Sequence, residues 1–329
     1  MNLRHERDHK VKVVVIGGGN GSATTLRALK HHRDVFDIFA VISMSDSGGS
    51  SGRLRAEFDT LPPSDIMRAI CALSPNHYKE IMKPMFYGNR FAGAGKLDGH
   101  NLGNLFLVLA ANYAGNFMDA IKALHQAVDA VGAVYPATLD QNDLVAELDN
   151  GQIVRTEAAI DRPTYARSFK IKKVWLEPEA RAYLGAIKAI EAADIIILGP
   201  GSLYSSVIAS VLPAGIGEAI GRSKARLIHI VGNKYEIDGE TGPTELTQAL
   251  WTLEEYLPRK IDTVIFNTWE LTEEQVKYYR EKRWALMKYN PEFVKKSHVI
   301  GAPFERNTGG LSATKLGLIL RKYLLVGSD

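Results

Sequence analysis

One pattern constrains this chain more than any other. A short, unbroken apolar run ends abruptly in glycine or serine and gives way to helical spacing, and the pattern recurs. "KVVVIGGGNG" does so first, "FDIFAVISMSDSGG" second and "ADIIILGPGSLYSS" later; "ARLIHIVGN" and "DTVIFNT" end in small polar residues, and "SHVIGAPF" is a last candidate. A strand with one wet face alternates apolar and polar residues, whereas a continuous β-branched run is a strand buried on both faces. Such strands separated by helices build a doubly wound, mainly parallel sheet. The predicted fold class is therefore α/β, with a Rossmann-like sheet and ligand loops beyond the carboxyl ends of its strands.

The intervening helices are read at "SATTLRALKHH", "PPSDIMRAICAL", "HNLGNLFLVLAANYA", "NFMDAIKALHQAVDAV" and Glu179 to Ala192, with a closing helix capped by Ser312. Residues from Asp46 to about Pro62 read as one long polar loop. Pro63 then opens a helix, where Ser64 or Asp65 can cap free donors. The middle of the chain is β-rich, and Asn150-Gly151 is a hairpin signal. A small antiparallel β insertion is expected at about 133–178, within a single domain spanning 1–329.

A chain of 329 residues can bury the core of one large α/β domain. The formal net charge of +3 is too small to indicate a nucleic-acid partner. The N-terminal basic cluster (Arg4, Arg7, Lys10, Lys12) reads as a solvated tail. Cys71 is the one cysteine, so an intrachain disulfide or cysteine-rich metal site is excluded, and its apolar setting suggests a buried thiol. No apolar run reaches the length of a membrane span, and the first residues lack a secretion signal; a cytoplasmic location is expected.

The chemistry is read from four loops. Gly17, Gly18, Gly19, Asn20 and Gly21 connect a strand to a helix, where free N–H groups and the helix dipole favour an anion. The spacing is neither a dinucleotide fingerprint nor a P-loop. Gly199, Gly201, Ser202 and Ser205 form a second candidate phosphate loop. "DSGGSSGRLR" adds Ser50, Ser51, a carboxylate and two arginines. Asp46 is the candidate catalytic residue, able to take Mg²⁺, a ribose hydroxyl or a proton, and Arg53 and Arg55 could grip phosphate. His100, Asn101 and Asn104 open a helix and suit hydroxyl or base recognition. His31, His32, His77, His125 and His229 lack ligand spacing and read as structural, and no serine-hydrolase or zinc motif is present.

In series these loops resemble those of the YvcK/CofD family: Gly17 to Gly21, Asp46 to Arg55, Pro62-Pro63-Ser64-Asp65, Gly99 to Asn104 and Gly199 to Ser206 match its motifs in order. The resemblance implies one of two functions. Members like YvcK act as regulatory factors for growth on gluconeogenic carbon sources and for cell shape, and bind a UDP-sugar such as UDP-N-acetylglucosamine. Members like CofD transfer a 2-phospho-L-lactyl group from a guanosine diphosphate carrier to a deazaflavin alcohol, with Mg²⁺ as the cofactor, in coenzyme F420 synthesis. The serine-rich second loop resembles the first branch. Ser47 stands where the family usually has a second acid, which weakens a metal site, and Asn20 replaces a commoner threonine. The resemblance also sets Tyr278 or Tyr279 near a tyrosine that would stack on a base. The implied partner is a nucleotide or nucleotide-sugar, with a homo-oligomer left open.

Overall fold

The computed structural model describes residues 10–296 and 298–325; Arg4 and Arg7 of the basic cluster lie outside the described residues. The strands are β1 (Val11–Gly17), β2 (Phe36–Ile42), β3 (Ala133–Pro136), β4 (Asp143–Leu148), β5 (Ile153–Arg155), β6 (Ile171–Glu177), β7 (Ile195–Leu198), β8 (Arg226–Val231), β9 (Lys234–Glu236), β10 (Thr263–Asn267), β11 (Trp284–Leu286) and β12 (Val299–Ala302). Seven of them form one sheet in the order β12-β10-β8-β7-β1-β2-β3, and every pairing in it is parallel. β4, β5 and β6 make a separate antiparallel sheet, and β9 pairs with β11.

The apolar runs are unbroken because both faces of the main sheet are covered. Val13 and Val15 of β1 enter one core with Leu26, Ile66 and Leu316, while Val14 and Ile16 enter the other with Val207, Ile208 and Leu246. Burying each such side chain contributes about 1.5–3 kcal/mol before the entropy of ordering it is counted. The C-terminal helix Ala313–Leu325, whose Ser312 hydroxyl accepts from Lys315 N–H at 3.3 Å, packs close against the first helix; a Cβ on Gly317 would lie 2.8 Å from the Ala28 carbonyl oxygen.

Three expectations change. The segment after Asp46 is not a loop to Pro62: following α1 (Gly19–Lys30), it forms α2 (Gly49–Phe58), and α3 (Ser64–Leu73) comes next. Glycine and serine are weak helix formers, so local propensity conceals α2. Tertiary contacts sustain it, through buried Ser50, Ser51 and Leu54. The strand at Ala133 pairs with β2 at the edge of the parallel sheet, so the antiparallel insertion is the shorter Asp143–Glu177 element. The helix read from Glu179 covers only Leu184–Glu191. The Asn150-Gly151 hairpin joins β4 to β5 as expected, with Gly151 at φ +83° and its N–H on the Leu148 carbonyl. Among the described residues no helix is long and apolar enough to cross a membrane.

Candidate functional site

Chain order reverses at β1: the strands on one side run β1, β2, β3, and those on the other run β7, β8, β10, β12. The crevice beyond the carboxyl ends of β1 and β7 is thus the topological switch point. The two glycine loops leave from these strand ends and touch. Thr25 Oγ1 donates to the Gly199 carbonyl at 3.3 Å, a Cβ on Gly21 would overlap the Pro200 carbonyl, and one on Gly18 would lie 3.8 Å from Ser206 Cβ. α1 and α2 begin at Gly19 and Gly49, and their N-cap residues, Gly18 and Gly48, are glycines with no side chain of their own to cap the turn. A surface hollow lined by Lys10, Arg33, Asp34 and Gly132 opens at the other end of the sheet.

Carboxylates receive the loop donors. Gly19 N–H donates to Asp65 Oδ2 at 2.8 Å, and Arg68 pairs with Asp65 Oδ1 at 2.6 Å. Gly48 N–H donates to Asp46 Oδ1 at 3.0 Å. Ser47 N–H donates to Glu157 Oε2 at 3.3 Å, while the Ser47 hydroxyl accepts Ala158 N–H at 3.0 Å at the start of the insertion's short helix, Glu157–Asp161. Ser47 therefore removes an acid from the loop and docks a segment that carries one. In the Gly199–Ser206 loop, the N–H groups of Tyr204 and Ser205 donate to Glu240 at 3.0–3.1 Å, and Ser205 Oγ donates to Asp161 at 3.2 Å. Ser202 Oγ reaches the same Asp161 oxygen at 3.5 Å.

Burial, and then crowding, raises four of these acids, Asp46, Glu157, Asp161 and Glu240. Burial pushes the Glu157 carboxyl up to about 8, helped by Asp46 and Asp161. Burial and then Asp65 raise half-buried Asp46, against the hydrogen bond from Gly48 N–H. Burial lifts Glu240 to about 7 despite its N–H partners. Carboxylates are the right donor type for Mg²⁺. Yet among the described residues no three of His, Cys, Asp or Glu are grouped to hold a metal ion. Asp46, Asp65 and Glu157 instead each spend an oxygen on a backbone N–H. As arranged they do not fit the cation.

Beside the acids lies a buried polar network. Asn104 Nδ2 donates to Ser50 Oγ at 3.0 Å and Ser64 Oγ at 2.9 Å, Ser51 Oγ donates to Ser64 Oγ at 2.5 Å, and His100 Nδ1 lies 2.8 Å from Ser50 Oγ. Because Ser50 already accepts from Asn104, its hydroxyl proton is free for Nδ1, which assigns the His100 proton to Nε2. Burial lowers the His100 pKa, consistent with a neutral ring. Asn101 caps α4 (Leu102–Ala114) by accepting Asn104 N–H at 2.9 Å. Buried side-chain atoms without a hydrogen-bond partner are rare and costly. Five occur among the described residues, and four surround this crevice: Ser22 Oγ, Ser43 Oγ, Arg68 Nε and Asn104 Oδ1.

The two arginines diverge. Arg53 is exposed, with Nη2 on the Asp98 carbonyl at 2.7 Å. Arg55 turns to the insertion, donating to the Asn142 carbonyl at 2.7 Å and pairing with Asp143 at 3.2 Å. Arg55→Ala is expected to cost about 1–2 kcal/mol of stability and to leave ligand affinity within about twofold, as checked by urea unfolding and calorimetry; a tenfold affinity loss at unchanged stability would contradict this structural role. Tyr279 is buried, with its hydroxyl on Glu305 at 2.8 Å and Trp284 edge-on, so it has no free face for a base. Tyr278 is half-buried against the same Trp284. His229 is buried on the Leu198 carbonyl with its pKa pushed down to about 4, and Cys71 is fully buried. Asp65 lay within a motif legible in the sequence, but Glu157, Asp161 and Glu240 did not; no local signal marks them.

A family profile described as 2-phospho-L-lactate transferase CofD matches residues 13–303. The chain belongs to the CofD family. Within that family it groups with gluconeogenesis factors of the YvcK type. It is 37% identical over 294 residues to a putative gluconeogenesis factor of Thermotoga maritima, covering 89% of this chain and 90% of that one. It is 35% identical over 272 residues to the gluconeogenesis factor of Bacillus subtilis, covering 82% and 83%. The crystal structure of a UPF0052 family member from Bacillus halodurans superposes with a TM-score of 0.85 at 29% identity, covering 95% of this chain and 99% of that one. This CofD-family sheet is thus shared with its solved relative.

Proposed function

We propose that the protein is a nucleotide-sugar-binding regulatory factor, taking a ligand of the UDP-N-acetylglucosamine type in gluconeogenic growth and cell shape. The observation that carries this reading is the meeting of the two glycine loops across the switch point, at the glycine-capped starts of α1 and α2. Helix N-termini, through their dipole and backbone N–H groups, favour a diphosphate. In this reading the ligand displaces carboxylates from loop donors, Arg53 offsets charge, and Asn104 Oδ1 receives a ligand hydroxyl. The relatives named gluconeogenesis factors support the cellular role.

Calorimetry with UDP-N-acetylglucosamine tests it directly. Heat of binding is expected, with GDP weaker by at least about tenfold, a difference of roughly 1.4 kcal/mol. Heat from GDP with silence from the UDP-sugar would sink the reading. That result would favour phospholactyl transfer, which the family profile's description supports and in which Asp46 would draw the acceptor hydroxyl's proton. Deletion in the source organism is expected to impair growth on gluconeogenic carbon and to alter cell shape.

A further inference from the structure

Arg27 carries a charge that the fold leaves without a counter-ion. It projects from α1, half-buried, with Nη2 on the Thr24 hydroxyl at 2.9 Å and Nε on the Ala23 carbonyl at 3.3 Å. Among the described residues it pairs with no carboxylate; burial lowers its pKa, Tyr78 opposes the shift and Arg306 adds to it. Its guanidinium carbon lies 4.2 Å from the centre of the Tyr78 ring. Arg68 of α3 repeats the arrangement over Tyr87 at 6.0 Å. The two rings pack together, with centroids 6.2 Å apart and their hydroxyls in contact. Both tyrosines belong to short π-helical turns, Tyr78–Met82 and Pro84–Gly88, a geometry that recurs at functional sites. Arg68 gives Nη1 to Asp65 at 2.6 Å, and its Nε is buried without a partner. Asp46 feels the charge of Arg68 without pairing with it.

We propose that Arg27 and Arg68 form a binding site for a phosphoryl oxyanion at the edge of the crevice. The tie to the crevice is Asp65, which pairs with Arg68 through one oxygen and accepts Gly19 N–H through the other. A guanidinium has a face and an edge, and they bind different groups. Aromatic rings stack on the face, whereas an oxyanion takes the in-plane N–H groups two at a time. Here Tyr78 and Tyr87 attend to the faces. The hydrogen bonds of Arg27 use Nε and Nη2 and that of Arg68 uses Nη1, so each cation keeps in-plane donors for a ligand. Tyr78 feels both charges, so the two half-buried cations also repel each other. A dianion between them turns that repulsion into attraction. A carboxylate brings a single charge, whereas a phosphoryl group brings about two and enough acceptor oxygens for both forks. The phosphoryl group can belong to a free phosphate ester or to the diphosphate of a nucleotide-sugar; only the second source rests on the function proposed above.

Calorimetry with inorganic phosphate, against chloride at equal ionic strength, tests the site on the full chain. Binding is expected, with its dissociation constant raised at least about tenfold by Arg27→Gln. The hydrogen bonds of Arg27 stay within α1, so this variant should keep its circular dichroism. Arg33→Gln removes the same charge at the hollow on the other end of the sheet and should leave phosphate affinity within about twofold. A second measurement needs no variant. Phosphate should slow phenylglyoxal modification of wild-type Arg27 and Arg68 at least about fivefold, read by peptide mapping, and should not protect exposed Arg33. No heat from phosphate, affinity unchanged by Arg27→Gln, loss of binding in Arg33→Gln instead, or an unprotected Arg27 would overturn the proposal. Saturating UDP-N-acetylglucosamine separates the two sources. Phosphate that still binds assigns the site to a free phosphate ester; phosphate that is excluded assigns it to the diphosphate of the nucleotide-sugar. Heat from phosphate with silence from the UDP-sugar defeats the nucleotide-sugar reading and leaves this site to a free phosphate ester.

Discussion

Gly21→Ala is expected to destabilise the protein by about 3 kcal/mol and to abolish ligand binding. Helix propensity alone gives the opposite sign. Gly21 lies in the first turns of α1 with ordinary helical backbone, where alanine is the better helix former by about 1 kcal/mol. The added Cβ, however, would fall on the Pro200 carbonyl. That carbonyl is main chain and cannot swing aside as a side chain would. Its position is set by the β1–β7 register and by Thr25 on Gly199. Relief requires parting the two loops, which opens the crevice proposed for the ligand. Gly217 provides the control: it is helical, and a Cβ there meets nothing within 4 Å. Gly217→Ala should stabilise by up to about 1 kcal/mol. Thermal melts of both variants check the pair of signs; a Gly21→Ala midpoint within about 2 °C of the parent would show that the loops do not touch as described.

Glu157→Gln is expected to flatten the pH dependence of stability between the ordinary carboxylate range and about pH 8. Burial and neighbouring acids push the folded-state pKa of Glu157 up to about 8, so across this window the native protein holds a proton that the unfolded chain has lost. The stabilising contribution of that proton is complete below the unfolded pKa and is lost as pH rises through about 8. Above pH 8 the wild type carries a buried, crowded anion, and the neutral glutamine is expected to be more stable by on the order of 2 kcal/mol. This figure discounts the full shift for the partial exposure of the side chain. Below about pH 5 the two should converge. Glu240, raised in the same direction, titrates in both proteins and cancels from the comparison. Denaturant unfolding at pH 5, 7 and 9 checks the slope, and parallel profiles would refute a protonated Glu157. A protonated Glu157 can also donate to a phosphate oxygen. Affinity for a diphosphate ligand is therefore expected to fall above pH 8 in the wild type and to stay level in Glu157→Gln.

The site shows how far local signals reach. The glycine loops, the helix starts at Pro63 and Asn101 and the Asn150-Gly151 hairpin are each set by a few adjacent residues, and each was legible. α2 was not, because Gly48, Gly49 and Gly52 speak against a helix, and only contacts with Ser64, His100 and Asn104 hold its first turn. Arg55 looked like a phosphate ligand, yet its partners Asn142 and Asp143 lie 87 and 88 positions along the chain, so its loss to the insertion has no local sign. The loss of an acid at Ser47 was plain in the sequence; its compensation by Glu157, 110 positions away, was not.

By itself, the sequence determined the doubly wound parallel sheet and the edge at which its special loops gather, because burial on both faces and glycine-rich strand ends are written in residue order. Only the tertiary structure decided which charges share the crevice. Carboxylates from α3, the insertion and the loop after β9 converge on donors of other segments, and burial with mutual repulsion raises Glu157 and Glu240. Those quantities depend on distance in space, which periodicity and local propensity do not encode.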